Sequence, residues 1–300
     1  MRRNDYDVTG RIRTTDPLAV GIEVLQLYQD LYPQANASPL RRAFDHTLRL
    51  YGGAHPAYHG CDVQFHDAQH VLDVTLAMAR LMDGYERGRA TRAKLSSSLF
   101  SVGVICALMH DVGYLRRRGD RRHRHGAEYT LTHVGRGASY VDRYLRAEGF
   151  ARYARTAATL LHYTGHERPV EAIRIDGSLP RRVGQMLGTA DLIAQMSDRC
   201  YLEKRRDRLF AELAAAGVAA CLYRSGDELV QRTYAFAQLA ARRLDLELAR
   251  AYEYAERHFG GRNLYLEALQ QNVRYAQLLS HSGHDARLRR ALPAPALAPQ

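Results

Sequence analysis

The segment Ser96–Met109, SSSLFSVGVICALM, constrains this chain more than any other. It is apolar nearly all round a helix, so it belongs at the centre of a fold with other helices packed about it. Its apolar part, Leu99–Met109, is only about half the roughly 20 residues that a membrane span needs. The run ends in His110-Asp111. An ionised carboxylate at the foot of such a helix costs several kcal/mol unless a cation or a donor compensates it. A divalent metal does so most simply, because it accepts nitrogen and oxygen ligands together; an arginine partner is the plainer solution.

Helical periodicity continues along almost the whole chain. Helices are expected over about 17–31, 38–51, 67–87, 126–147, 151–164, 180–197 with a bent continuation to 215, 227–258 and 263–280. Ser38-Pro39 reads as a cap followed by a first-turn proline. Residues 52–65, 114–125 and 165–178 are expected loops, and no β-branched run bounded by turns suggests a sheet. The expected fold class is all-α, as one helical bundle. An N-terminal helical extension covers 1–37, the core 38–215, and additional C-terminal helices packed on it 216–282. A disordered tail rich in Pro, Ala and Leu follows over 283–300.

The hydrophobic share of 46% and charged share of 25% fit a folded globular chain and exclude disordered, collagen-like and cysteine-scaffold classes. Cys61, Cys106, Cys200 and Cys221 lie far apart and read as reduced structural thiols. The N-terminus lacks a signal-peptide apolar core, so a cytoplasmic protein that does not engage a membrane is expected. The net charge of +11 is carried almost wholly by arginine and favours anionic partners.

Two further motifs accompany the His-Asp pair. In Phe65-His66-Asp67-Ala68-Gln69-His70, helical spacing places His66 and His70 on one face, where one imidazole can bind metal and the other act on substrate; Asp67 can cap the helix. In Ala190-Asp191-Leu192-Ile193-Ala194-Gln195, a lone carboxylate sits in an apolar helical face with Gln195 one turn on.

In this order the three motifs resemble the HD superfamily of metal-dependent phosphohydrolases, and in particular cyclic-nucleotide phosphodiesterase catalytic domains, over about residues 40–200. Residues 65–70 are similar to that family's Tyr-His-Asn-x-x-His element, Leu108–Asp111 to its Leu-x-His-Asp element, and Ala190-Asp191 to its late Ala-Asp ligand. The resemblance implies that His70, His110, Asp111 and Asp191 ligate a first divalent ion, that Asp111 bridges to a second, and that His66 is the general acid. It implies two ions of Zn, Mn, Fe or Mg. The family's branch that hydrolyses cyclic dinucleotides supplies further histidines in the intervals where this chain has His133 and His162, with His166 as the alternative to His162. Glu128 is expected to orient the attacking water, and His166, Gln195 and Tyr114 to touch substrate.

The chain departs from the phosphodiesterase pattern in carrying Tyr114 where a further histidine stands and Asp67 where asparagine stands. Tryptophan is absent, and Gln271, Asn272 and Gln277 are the substitutes for a base clamp. Six arginines in Arg116–His125 make a loop that either steers a phosphate substrate or is simply solvated. The expected function is hydrolysis of a phosphodiester, of a cyclic nucleotide by preference. The alternatives are a di-iron oxygenase acting on a small polyol or phosphonate, and a nucleotide-sensing domain without turnover. The expected partner is a phosphate-bearing small molecule, with a homodimer left open and nucleic acid not expected.

Overall fold

Three of the first four helices begin at a side-chain cap. Asp16 accepts from the amides of Leu18 and Ala19 and is followed by proline, and α1 runs Pro17–Leu31. α2, Ser38–Tyr51, has Pro39 in its first turn as expected, but Ser38 is its first residue and not its cap; Ala37 stands at the N-cap and offers no side-chain acceptor. Asp67 accepts from the His70 amide at 3.0 Å and opens α3, Ala68–Arg87. Ser96 accepts from the Leu99 amide and opens α4, Ser97–Met109. The computed structural model describes residues 3–88, 94–218, 222–281, 288 and 290–297. It is 64% helical, with no strand among the described residues, in keeping with the all-α expectation.

Beyond α4 come α5 His133–Ala147, α6 Ala151–Leu161 and α7 Ser178–Ser197. The chain then runs through α8 Tyr201–Lys204, a π-helical turn Arg205–Leu209 and α9 Phe210–Ala215. It closes with α10 Gly226–Gln231, α11 Thr233–Arg242, a second π-helical turn Arg243–Glu247, α12 Glu253–His258 and α13 Leu264–His281. Every residue from Leu99 to Met109 is buried, and α4 touches α2, α3, α6 and α7. The window Ser97–Tyr114 is long and apolar enough to cross a membrane, but 89% of it is buried inside the fold. It is a core helix by position. The apolar cluster around it extends from Val20 to Leu279, so the C-terminal helices share the core.

Two expected helices are divided. The one foreseen from 126 starts only at His133. Ahead of it Gly126–Tyr129 form a 3-10 turn closed by His125 and Glu128, and the hydroxyls of Thr130 and Thr132 donate back to the carbonyls of Ala127 and Tyr129. Such local bonds compete with a helix start. The one foreseen over 227–258 breaks at the second π-helical turn and at Ala249 and Arg250, whose φ values of 50° and 54° lie in the left-handed region.

Of the tail, residues 283–287, 289 and 298–300 lie outside the described residues, as does Cys221. Residues 290–297 run irregularly across the body, where the Asn4 amide donates to the Ala291 carbonyl at 2.8 Å and Arg208 donates to that of Pro293 at 3.1 Å. Cys61, Cys106 and Cys200 are free thiols.

Candidate metal centre

α4 delivers His110 at its C-cap, where Nδ1–H donates to the Ala107 carbonyl at 2.9 Å. That bond fixes the ring and leaves Nε2 as a lone pair pointing away from the helix. The first turn of α3 brings His70 Nε2 to 3.2 Å from His110 Nε2. α7 contributes Asp191, whose Oδ1 lies 3.3 Å from His70 Nε2 and 3.8 Å from His110 Nε2. His70, His110 and Asp191 thus each offer one ligand atom within 4.8 Å of the others, a group that could hold a metal ion. Asp111 Oδ2 stands 3.1 Å from His110 Nε2 and 3.3 Å from His70 Nε2. It is buried and receives no hydrogen bond.

Acceptors therefore face acceptors. Two imidazole nitrogens and two carboxylate oxygens converge in a region nearly closed to water, and only a proton or a cation reconciles them. Burial disfavours a charged His70, yet the carboxylates of Asp111 and Asp191 beside it outweigh that and push its imidazole up to about 10. Burial likewise opposes ionisation of Asp111, but His110 and His66 hold its carboxyl well below the usual range. The potential that retains a proton on His70 suits a divalent cation equally well. The orphaned Asp111 oxygen and the mixed nitrogen and oxygen donors fit a divalent metal ion.

A second group faces the other oxygen of Asp111. His133, the first residue of α5, has Nδ1 bonded to the Thr130 carbonyl at 2.6 Å and Nε2 3.8 Å from Asp111 Oδ1. Burial and the neighbouring His66 hold its imidazole below the ordinary value, which favours a free lone pair. Gly113 makes the approach feasible. A side chain there would stand 2.6 Å from the carbonyl carbon of His133 and 2.9 Å from the amide nitrogen of Gly137.

His66 precedes the cap of α3 rather than lying on it, but its ring still meets that of His70 at 5.4 Å. Its Nδ1 is bonded to Glu212 Oε1, while Glu212 Oε2 accepts the amides of Phe65 at 3.2 Å and His66 at 3.4 Å. Burial lowers the affinity of His66 for a proton, and Glu212 and Asp111 more than restore it. The chain matches no protein-family model, no curated protein and no solved structure. The chemistry is accordingly read from the atoms in place.

The structure brings together His66, His70, His110, Asp111, His133 and Asp191, sets Tyr114 and Gln195 against them, and turns Glu128, His162 and His166 to other partners. Glu128 is exposed and accepts the amides of Arg124 at 2.6 Å and His125 at 2.8 Å, so its carboxylate closes its own turn and does not orient a water at the cluster. His162 caps α6 and bonds Glu167 Oε1 at 2.6 Å. His166 packs on Arg243, whose Nη1 is 2.6 Å from its Nδ1. Gln195 Nε2 donates to the Asp191 carbonyl at 3.3 Å, one turn back on α7, and to Asp191 Oδ1 at 3.5 Å, so it touches a member of the cluster. Tyr114 is 2% exposed and packs its ring on both His66, at 4.8 Å, and His133, at 4.3 Å, while those two rings lie 6.4 Å from each other, so it backs the imidazoles instead of meeting a ligand. Asn272 donates to the carbonyls of Met196 and Asp198 and so caps the end of α7, not a base.

Sequence reasoning missed Glu212 and Arg243. Glu212 stands alone in Phe210-Ala-Glu-Leu-Ala-Ala, the same signal that marks Asp191. Arg243 binds the carbonyls of Tyr163 and Gly165 through Nη2, at 2.8 and 2.6 Å, and nothing local in its sequence announces that.

Proposed function

We propose that the protein is a metal-dependent phosphohydrolase that cleaves a phosphodiester, with cyclic nucleotides as its substrate class. One observation carries the reading: the two oxygens of buried Asp111 face separate imidazole groups, His70 with His110 on one side and His133 on the other. A carboxylate so placed suits a bridge between two ions, with Asp191 completing the first set. When bound, such ions supply an activated water and offset the charge of a phosphoryl group.

The chain's own residues do the rest. The carbonyls of Ala107 and Thr130 hold His110 and His133 in the tautomer that presents Nε2. Glu212 anchors His66 through Nδ1 and favours its protonated form, so Nε2–H is available to donate to a departing alkoxide. Tyr114 packs on the rings of both His66 and His133 and so buttresses the proton donor and the second imidazole group together.

The test is a metal analysis of the purified protein followed by assays on cyclic mono- and dinucleotides, with and without oxygen. Hydrolysis that is independent of oxygen and lost on chelation is expected. His66→Ala should retain metal and lose most turnover of substrates with poor leaving groups; Asp111→Asn should lose metal and activity together. Oxygen consumption, or nucleotide binding without turnover under every metal, would overturn the reading.

A further inference from the structure

Beside the metal cluster, behind the backbone of Val112 and Gly113, lies a cleft of about 470 Å³. Arg117, Arg136, Arg143 and Arg168 line it, with Tyr58 and Tyr140 among its aromatic surfaces. None of the side chains converging on Asp111 takes part in its wall. The arginines come from three stretches that are far apart in the chain: the loop after the His-Asp pair, the outer stripe of α5, and the loop after α6.

Four guanidiniums face one carboxylate here, and that carboxylate, Glu167, is held by His162 Nδ1. Arg136 is spent on structure: it donates to the carbonyls of Gly113 and Leu115 at 2.7 and 2.9 Å and lies over the Tyr129 ring. The other three are exposed, and among the described residues none has an ion-pair or hydrogen-bond partner for its side chain, although Arg143 lies over the Tyr140 ring at 5.9 Å. Unpaired guanidiniums that converge on a concave surface attract phosphate, whose oxygens match their fork of donors. Tyr58 and Tyr140, 5.7 Å apart and edge to face, offer apolar surface for a ring. At Gly135 on the same stripe of α5 an added side chain would meet nothing within 4 Å, so that helix leaves the cleft open.

We propose that this cleft is a second ligand site, independent of metal, that binds a phosphate-bearing small molecule of nucleotide size. It gives a role to two features the metal cluster leaves over: Arg117, the member of the arginine run that lines the cleft, and His162, which here restrains the one carboxylate that would repel the ligand. The site stands whether or not the metal cluster hydrolyses anything.

Calorimetric titration with inorganic pyrophosphate, ADP and adenosine, on untreated and chelator-treated full-length protein, tests this directly. Pyrophosphate and ADP should bind, ADP more tightly, adenosine not measurably, and chelation should leave the constants unchanged. Arg143→Glu and Arg168→Glu change exposed, unpaired groups and should leave the thermal melt intact while weakening ADP binding about tenfold each. Gly135→Leu, which fills the cleft without altering its charge, should abolish binding. The inference is overturned if these three variants bind ADP like the parent, if chelation removes binding, if adenosine binds as well as ADP, or if a short single-stranded RNA at the same salt binds far more tightly than ADP.

Discussion

Gly113→Ala is the sharpest probe of how the two imidazole groups are brought to one carboxylate. Gly113 has no left-handed φ, so alanine suits its backbone and the substitution isolates a single contact. The new methyl would sit 2.6 Å from the His133 carbonyl carbon and 2.9 Å from the Gly137 nitrogen, where ordinary contact begins at 3.4 Å. The His133 carbonyl oxygen stands nearer still and all three obstacles are backbone atoms, so the start of α5 must retreat by more than about 1 Å. His133 Nε2 now lies 3.8 Å from Asp111 Oδ1. An ion between a nitrogen and an oxygen spans at most about 4.2 Å, twice a bond of about 2.1 Å. The present distance is inside that limit and the displaced one is outside it. Overpacking should cost about 2 kcal/mol, or about 5 °C in Tm for a chain of this size. Metal analysis should show one ion lost and the group at His70, His110 and Asp191 still filled. A variant with the parent's Tm and metal content would refute the claim that this glycine sets the spacing.

Three other substitutions examine separate joints of the argument. Glu212→Gln should leave metal content unchanged while kcat for substrates with poor leaving groups falls about 100-fold; loss of metal instead would assign Glu212 to ligation. Asn272→Ala should lower stability by about 1 to 2 kcal/mol, because two carbonyls at the end of α7 lose their donor, with KM for any nucleotide unchanged; a raised KM would restore the base clamp expected from sequence. Asp83 is buried, which opposes its ionisation, but hydrogen bonds from His258 at 2.6 Å and Arg87 at 2.7 Å hold its carboxyl below the usual value. The unfolded chain then binds that proton more readily, so the stabilisation is present above about pH 4 and fades as pH falls through the folded value. Asp83→Asn should therefore lower Tm by a few degrees at pH 7 and by less at pH 3; equal losses at both would contradict the linkage.

The parts of this site that could be read from sequence are those whose chemistry is resolved within a few residues. Asp67 is recognisable as a cap because its acceptor bonds an amide three residues on. His110-Asp111 attracts notice because an apolar run cannot end in a carboxylate without compensation. Asp191 does so for the same reason. What escapes is the choice of partner. Glu128 stands five residues before His133, as a residue acting on the same centre would, yet two amides of its own turn satisfy it first. His162 follows a helix in the expected interval, but a glutamate five residues later claims its ring. Glu212 carried the same mark as Asp191 and went unnoticed, since the amide it accepts from His66 comes from 146 residues earlier. A lone carboxylate in an apolar stretch thus announces that something must compensate it, while packing of distant helices decides what does. The same reasoning separates the two expected metal groups here. The first is assembled by α3, α4 and α7, which share the buried core, whereas the second depends on a close helix approach through Gly113 that no side-chain pattern advertises.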